Sequence, residues 1–231
     1  MAKRQAEEAR SEGAAGHTQI AYEGIRRMLF HSEIVPGQKI SYRHLSERLG
    51  MSQTPVIQAL KWLEFQQLVR HEPNRGYYTA PISMQEVEEI YDLRELIELD
   101  LLARTLKILD EAGLSRLRAA LEAHLEAAND GYLYDRLLRD VEFHLTLASL
   151  SKCIVQQQTL KNLFDLLYLK YGGKFLFPSS VDAAGSDHRS LFEHIEHGNA
   201  EEAGQVLSSH IRRVKAHVLR NVERVMAATR I

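Results

Sequence analysis

The sequence predicts a mainly α protein in two parts: an N-terminal helix-turn-helix carrying a small β-hairpin, then an antiparallel all-α bundle of about six helices. Three observations predict it. Apolar residues recur at helical spacing from Thr18 to Leu63, interrupted at Pro36-Gly37 and at Gly50. From Arg70 to Thr79 the pattern switches to two short strand-like runs around a turn at Pro73, Asn74, Arg75 and Gly76. Beyond Ser83 the chain returns to helical periodicity and keeps it to about residue 227.

Element by element, residues 1–17 are polar and rich in Ala, Glu and Arg, and read as a flexible leader or a frayed helix. The first packed helix carries Ile20, Ile25, Met28 and Leu29 and ends before Pro36. Ser41 can cap a second helix whose inner stripe is Leu45 and Leu49, and Gly50 permits a sharp exit. A third starts at once, with Ser52 as N-cap, Pro55 in the first turn, and Val56, Ala59, Leu60 and Leu63 on one face. Two helices joined so closely, followed by a hairpin ending near Pro81, make a winged helix-turn-helix over residues 18–80. Ser83 and Glu86 then form a capping box for a long helix through Val87, Ile90, Tyr91, Ile97 and Leu101. Further helical runs fall at about 114–129, 132–150, 153–175, 186–197 and 199–227, so residues 83–228 form the bundle.

Composition narrows the class. With 231 residues the chain has room for one or two domains of about 150 residues. Apolar residues at 45% and charged residues at 26% match ordinary globular usage and exclude a fibrous or disordered polymer. Cys153 is the single cysteine, and no window approaches the roughly 18 apolar residues of a membrane helix, so no membrane role is expected. The N-terminal stretch contains no secretory apolar run, and a cytoplasmic location is expected. Net charge is −2, but up to Ala80 there are 11 Lys and Arg against 8 Asp and Glu, and beyond it 18 against 23. The first part is mildly basic and the second acidic, which points to a polyanion-facing module attached to something else.

The second helix of a helix-turn-helix presents its N-terminal residues to base edges in the major groove. Here these are Ser52, Gln53, Thr54, Ile57 and Gln58. Gln53 suits adenine, Thr54 suits a phosphate or a thymine methyl, and Arg43, Lys61 and Arg75, with Gly76 beside it in the wing, are placed for the backbone.

A second signal lies on the bundle's apolar faces. Asp140 and His144 share a face with Leu133, Leu137, Val141 and Ala148. His188 is in phase with Leu191, Phe192 and Ile195, and His210 with Ala203, Val206, Leu207 and Val214. A carboxylate and three imidazoles pointing inward make a shell for a divalent ion such as zinc, nickel or manganese, with two positions open in octahedral geometry. His217, in phase with His210, is a rival ligand; His194 and His197 read as solvent-facing, and His124 is uninformative. Arg94 sits on the buried side of the long helix and needs an anion, supplied either by Glu98 one turn on or by a bound ligand. Two cationic groups facing one cavity would suit a small carboxylate.

These residues resemble the GntR family of bacterial transcription regulators, in its FadR-type branch with a C-terminal FCD domain. The N-terminal resemblance lies in residues 40–64, 68–70 and 75–80; the C-terminal one in Y-D-L-R-E-L-I-E at 91–98, D-V-E-F-H at 140–144, D-H at 187–188 and H-I-R-R at 210–213. The resemblance implies a homodimer binding a two-fold-symmetric operator, mostly as a repressor, with a small organic acid effector in the helical domain. It places the family's metal ligands on Asp140, His144, His188 and His210, its effector-carboxylate arginine on Arg94 and a phosphate-contacting arginine on Arg43. Where the family usually reads S-R-T-P-V-R-E-A-L, this chain has Gln53, Ile57 and Gln58 in place of two arginines and a glutamate. A different operator, richer in A·T, or weaker binding is expected. The alternatives are a metal-dependent enzyme or a metal sensor on the same bundle; no nucleophile-and-base set or cofactor fingerprint supports the first.

Overall fold

The computed structural model describes residues 2–129, 133–171 and 184–229. The chain divides into two compact units, one built from residues 1–82 with 168–172, the other from 83–167 and 173–231.

In the first unit α1 (Ala2–Phe30), α2 (Tyr42–Leu49) and α3 (Gln53–Phe65) pack around Ala21, Ile25, Leu29, Val56, Ala59, Leu60 and Leu63, all fully buried. Two details depart from expectation. α1 opens at Ala2 rather than near Thr18, because Ala, Glu, Gln, Lys and Arg are strong helix formers even without an apolar stripe. Ile20 is exposed, and Ala21 takes the inward position. Ser41 caps α2 by accepting from the His44 N–H at 3.3 Å, and Gly50 ends it at φ 65°, a left-handed value. Ser52 is extended at the start of α3 but makes no side-chain capping bond.

The wing is a three-stranded antiparallel sheet rather than a simple hairpin. β2 (Val69–Glu72) and β3 (Gly76–Thr79) pair as expected, and β1 (Lys39–Ile40) adds to β3 with Lys39 opposite Tyr78. A two-residue strand has too little period to be read from sequence. The buried Thr79 hydroxyl donates to the Val35 carbonyl at 2.6 Å and accepts from the Gln38 N–H at 2.9 Å, tying the sheet to the turn before it.

The second unit contains α4 (Met84–Leu106), α5 (Glu111–Asn129), α6 (Leu133–Leu150), α7 (Ile154–Asp165), α8 (Ala184–Glu196) and α9 (Ala200–Thr229). α4 packs on α9, α6 and α7; α5 packs on α6 and α8; and α8 packs on α9. Ser83 accepts from the Glu86 N–H at 3.3 Å to start α4. The helix expected over 153–175 ends as an α-helix at Asp165 and continues as a π-helical turn, Leu166–Lys170. The buried stripe of α6 runs through Leu137, Phe143, Leu147 and Ala148, with Val141 only half-buried. Leu133's side chain and the last residues of the run expected over 153–175 lie outside the described residues. Among the described residues no helix is long and apolar enough to cross a membrane.

Candidate metal centre and nucleic-acid interface

The long α4 and α6 carry Arg94, Glu98, Asp140 and His144, and α8 and α9 bring His188 and His210 against them. The i,i+4 spacing of Asp140 and His144 puts both on one face of α6. The four potential ligands Asp140, His144, His188 and His210 offer donor atoms that all lie within 4.8 Å of one another. His188 Nε2 is 3.2 Å from His144 Nε2 and 3.4 Å from Asp140 Oδ1. His217 does not join this set, whereas the sequence left it as a rival to His210. His197 is exposed as expected, and His194 is half-buried.

Two of the three imidazoles have their orientation set from behind. His144 Nδ1 lies 2.6 Å from Glu98 Oε2, and His210 Nδ1 lies 3.1 Å from Asp187 Oδ2, which also pairs with Arg213. A carboxylate at Nδ1 holds the proton there and leaves Nε2 as a lone pair. With His144 so held, its Nε2 faces His188 Nε2 as an acceptor, an arrangement that a shared cation or a single shared proton satisfies. The donor set therefore fits a borderline divalent ion.

Arg94 is 2% exposed, and its Nε donates to Glu98 Oε1 at 2.9 Å. Its guanidinium centre lies 4.2 Å from the Phe164 ring centroid and 5.1 Å from that of Tyr91. Glu98 thus bridges Arg94 and His144, the internal partner that the sequence left open. Its negative charge lowers the balance: a dication, Asp140, Arg94 and Glu98 sum to one net positive charge, not the two that Arg94 without Glu98 gives.

Burial and neighbouring charges compete in the electrostatics of the site. It alone would raise the pKa of Glu98, but Arg94 and then His144 reverse it and hold the carboxyl at about 2. Asp140 is likewise held well below the carboxylate range, its burial outweighed by His144, His188 and His210. Burial, then the neighbouring imidazoles, pushes His188 well down, and burial with His144 lowers His210 to about 4, against the pull of Asp140. Two ligating imidazoles are therefore neutral near pH 7, as metal binding requires. Burial also raises the Tyr91 phenol.

Asp187 and His124 were not read as parts of the site from sequence, and Glu98 only as a partner for Arg94. His124, on α5, is 4% exposed, and its ring centroid lies 4.2 Å from that of His188. Burial lowers its pKa, opposed by Asp140. A three-residue step from Leu121 and Leu117's seven-residue offset put it on the inner face of α5, the one sequence signal it had.

In the first unit, Ser52 at the N-cap and Gln53, Thr54, Gln58 and Lys61 along α3 are exposed, and Ile57 is half-buried. Ser52, Thr54 and Gln58 line one side of a cleft of about 770 Å³, opposite His17, Thr18 and Ile20 of α1. Arg43 is exposed and 3.2 Å from Glu47; Arg75 is exposed and 3.1 Å from Glu72. Exposed pairs of this kind contribute about 0–1 kcal/mol, so either arginine exchanges its carboxylate for a phosphate at small cost. Gly76 holds φ 100° after Asn74 at φ 61°, the left-handed backbone that closes the wing.

Both parts of the chain match known protein families. Residues 18–78 match bacterial regulatory proteins of the gntR family, and residues 89–213 match the FCD domain. The HTH-type transcriptional regulator YdhC of Bacillus subtilis is 27% identical over 192 residues, 82% of this chain and 85% of that protein. The HTH-type transcriptional repressor RspR of Escherichia coli is 24% identical over 200 residues, 87% of this chain and 88% of that protein. Among solved structures, McbR/YncC of E. coli superposes with a TM-score of 0.77 at 18% identity, covering 88% of this chain and 97% of that one. A GntR regulator from Rhodococcus sp. RHA1 gives 0.72 at 23% identity, covering 88% and 98%.

Proposed function

The chain belongs to the GntR family with an FCD domain and is a DNA-binding transcription regulator, not an enzyme, and from that premise we propose that its helical unit is a metal-centred receptor for a small carboxylate that controls operator binding. The observation that carries this reading is the set of four donor atoms within 4.8 Å, backed by Glu98 and Asp187 on the imidazoles' far nitrogens. Asp140, His144, His188 and His210 would hold the ion. When bound, a divalent cation supplies a Lewis-acidic position for a carboxylate oxygen. Arg94 adds a buried positive charge beside it, tempered by Glu98.

On the DNA side, Gln53 and Thr54 read base edges, Ile57 offers an apolar contact to a thymine methyl, and Arg43, Lys61 and Arg75 neutralise phosphates. We assign the active form as a homodimer on a two-fold-symmetric operator, acting as a repressor; the 24%-identical relative named a repressor supports that sign. Between β3 and α4 the chain has only residues 80–83, a link short enough to pass a helix shift in the bundle to the winged unit. The ligand must bind the DNA-competent and DNA-released states with different affinity, or no control results.

His188→Ala and His210→Ala proteins test the reading. Elemental analysis is expected to find less bound zinc, nickel or manganese than in the wild type, with carboxylates no longer altering DNA affinity. Full metal content together with a full carboxylate response in both variants would overturn it. A metal-sensor reading is separated by the same proteins: there, adding or chelating the ion alone changes DNA affinity and carboxylates do nothing.

A further inference from the structure

His124 stands out among the buried polar groups. His124 is 4% exposed, and among the described residues neither Nδ1 nor Nε2 has a hydrogen-bond partner. A structural histidine at such a position normally bonds at least one nitrogen, because a buried polar group without a partner costs stability that a leucine or phenylalanine would not. Its neighbours on the same face, Leu117 and Leu121, are apolar. Nothing in the packing of α5 asks for an imidazole.

Its location supplies the reason. α5 packs on α6, which carries Asp140 and His144, and on α8, which carries His188. The His124 ring is tilted at 51° against His188, yet His124 is not among the four residues whose donor atoms lie within 4.8 Å of one another. It borders the metal centre without belonging to the ligand shell.

We propose that His124 hydrogen-bonds the oxygen of a small carboxylate whose other oxygen sits on the metal. This rests on the metal-centred reading above. A neutral imidazole carries one N–H donor, so it can donate to the distal carboxylate oxygen. His124 then selects among anions at the open metal positions, while the four ligands hold the ion.

The test uses the full chain loaded with cobalt(II), whose visible absorption reports its coordination, and acetate as the probe. His124→Phe and His124→Leu remove both nitrogens, and His124→Gln keeps a donor and an acceptor. All three are expected to bind cobalt with wild-type affinity. Acetate affinity is expected to fall by about tenfold or more in the two apolar variants, the scale of one hydrogen bond to a charged partner, and to recover in His124→Gln. Unchanged acetate affinity in the apolar variants, or a parallel loss of cobalt affinity, would overturn the proposal. Cobalt binding by the wild type with no spectral response to acetate would overturn it too, leaving the metal reading intact. If the wild type binds no cobalt, both fall.

Discussion

Glu98 Oε2 lies 2.6 Å from Nδ1 of His144, across 46 positions of sequence, with both side chains buried. The same carboxylate accepts from Arg94, so one buried acid neutralises a guanidinium and fixes which nitrogen of His144 faces the His188 Nε2. Glu98→Gln keeps the shape and removes the charge. It is expected to weaken metal binding by about 10–100-fold, the usual effect of removing an outer carboxylate, and to lower the melting temperature by leaving Arg94 less compensated. A competition titration against a chelator measures the first effect; unchanged affinity would show that Glu98 serves Arg94 alone.

The metal-free protein is expected to lose stability on acidification. His188 and His210 have folded-state pKa values below the ordinary 6.5, His210 at about 4, so below pH 6.5 the unfolded chain takes up protons that the folded chain refuses. Their contribution is complete above pH 6.5 and is lost as pH falls from there through about 4. Glu98, held at about 2 against an ordinary 4.5, adds a second loss below pH 4.5. Melting temperatures of chelator-treated protein should therefore be level from pH 8 to 7 and fall from pH 6.5 to 5. A level or rising curve over that last interval would show that these imidazoles are not held neutral by burial.

On DNA, replacing Gln53 and Ile57 with arginine is expected to shift the preferred site toward guanine, since one bidentate arginine–guanine contact is worth roughly 1–3 kcal/mol of discrimination. Lys61→Ala should instead weaken binding to all sequences alike and reduce the salt slope by about one. Selection from a randomised duplex pool checks the first substitution, and titrations at several salt concentrations check the second. An unchanged consensus for the arginine variant would mean that α3 does not meet the bases through these positions.

Much of this architecture was legible in the chain because helices announce themselves by period and by caps. Leu45, Val56 and Leu63 are buried where a 3.6-residue repeat puts them, and Ser41, Gly50 and Ser83 stand at the helix ends that their chemistry favours. The same logic selected Asp140, His144, His188 and His210 from three separate helices. Periodicity tells which face turns inward, but not which face it meets. So Glu98 was seen as a neighbour of Arg94 one turn away and not as the partner of His144, and Asp187 was not tied to His210. His124, with an apolar stripe and no companion on its own helix, carried no sign of what lay across from it. β1 escaped because Lys39 and Ile40 become a strand only by pairing with Tyr77 and Tyr78.

The most direct test of the account is fluorescence anisotropy of the purified protein on the DNA flanking its own gene, against a scrambled duplex at one fixed salt concentration. It is run metal-free, metal-loaded, and metal-loaded with added carboxylates. The account predicts a preference of about a hundredfold or more for one symmetric site, within the range of specific regulators, and a change in that affinity when a carboxylate meets the metal-loaded form only. Equal weak binding to both duplexes, or a carboxylate effect that persists without metal, would contradict it.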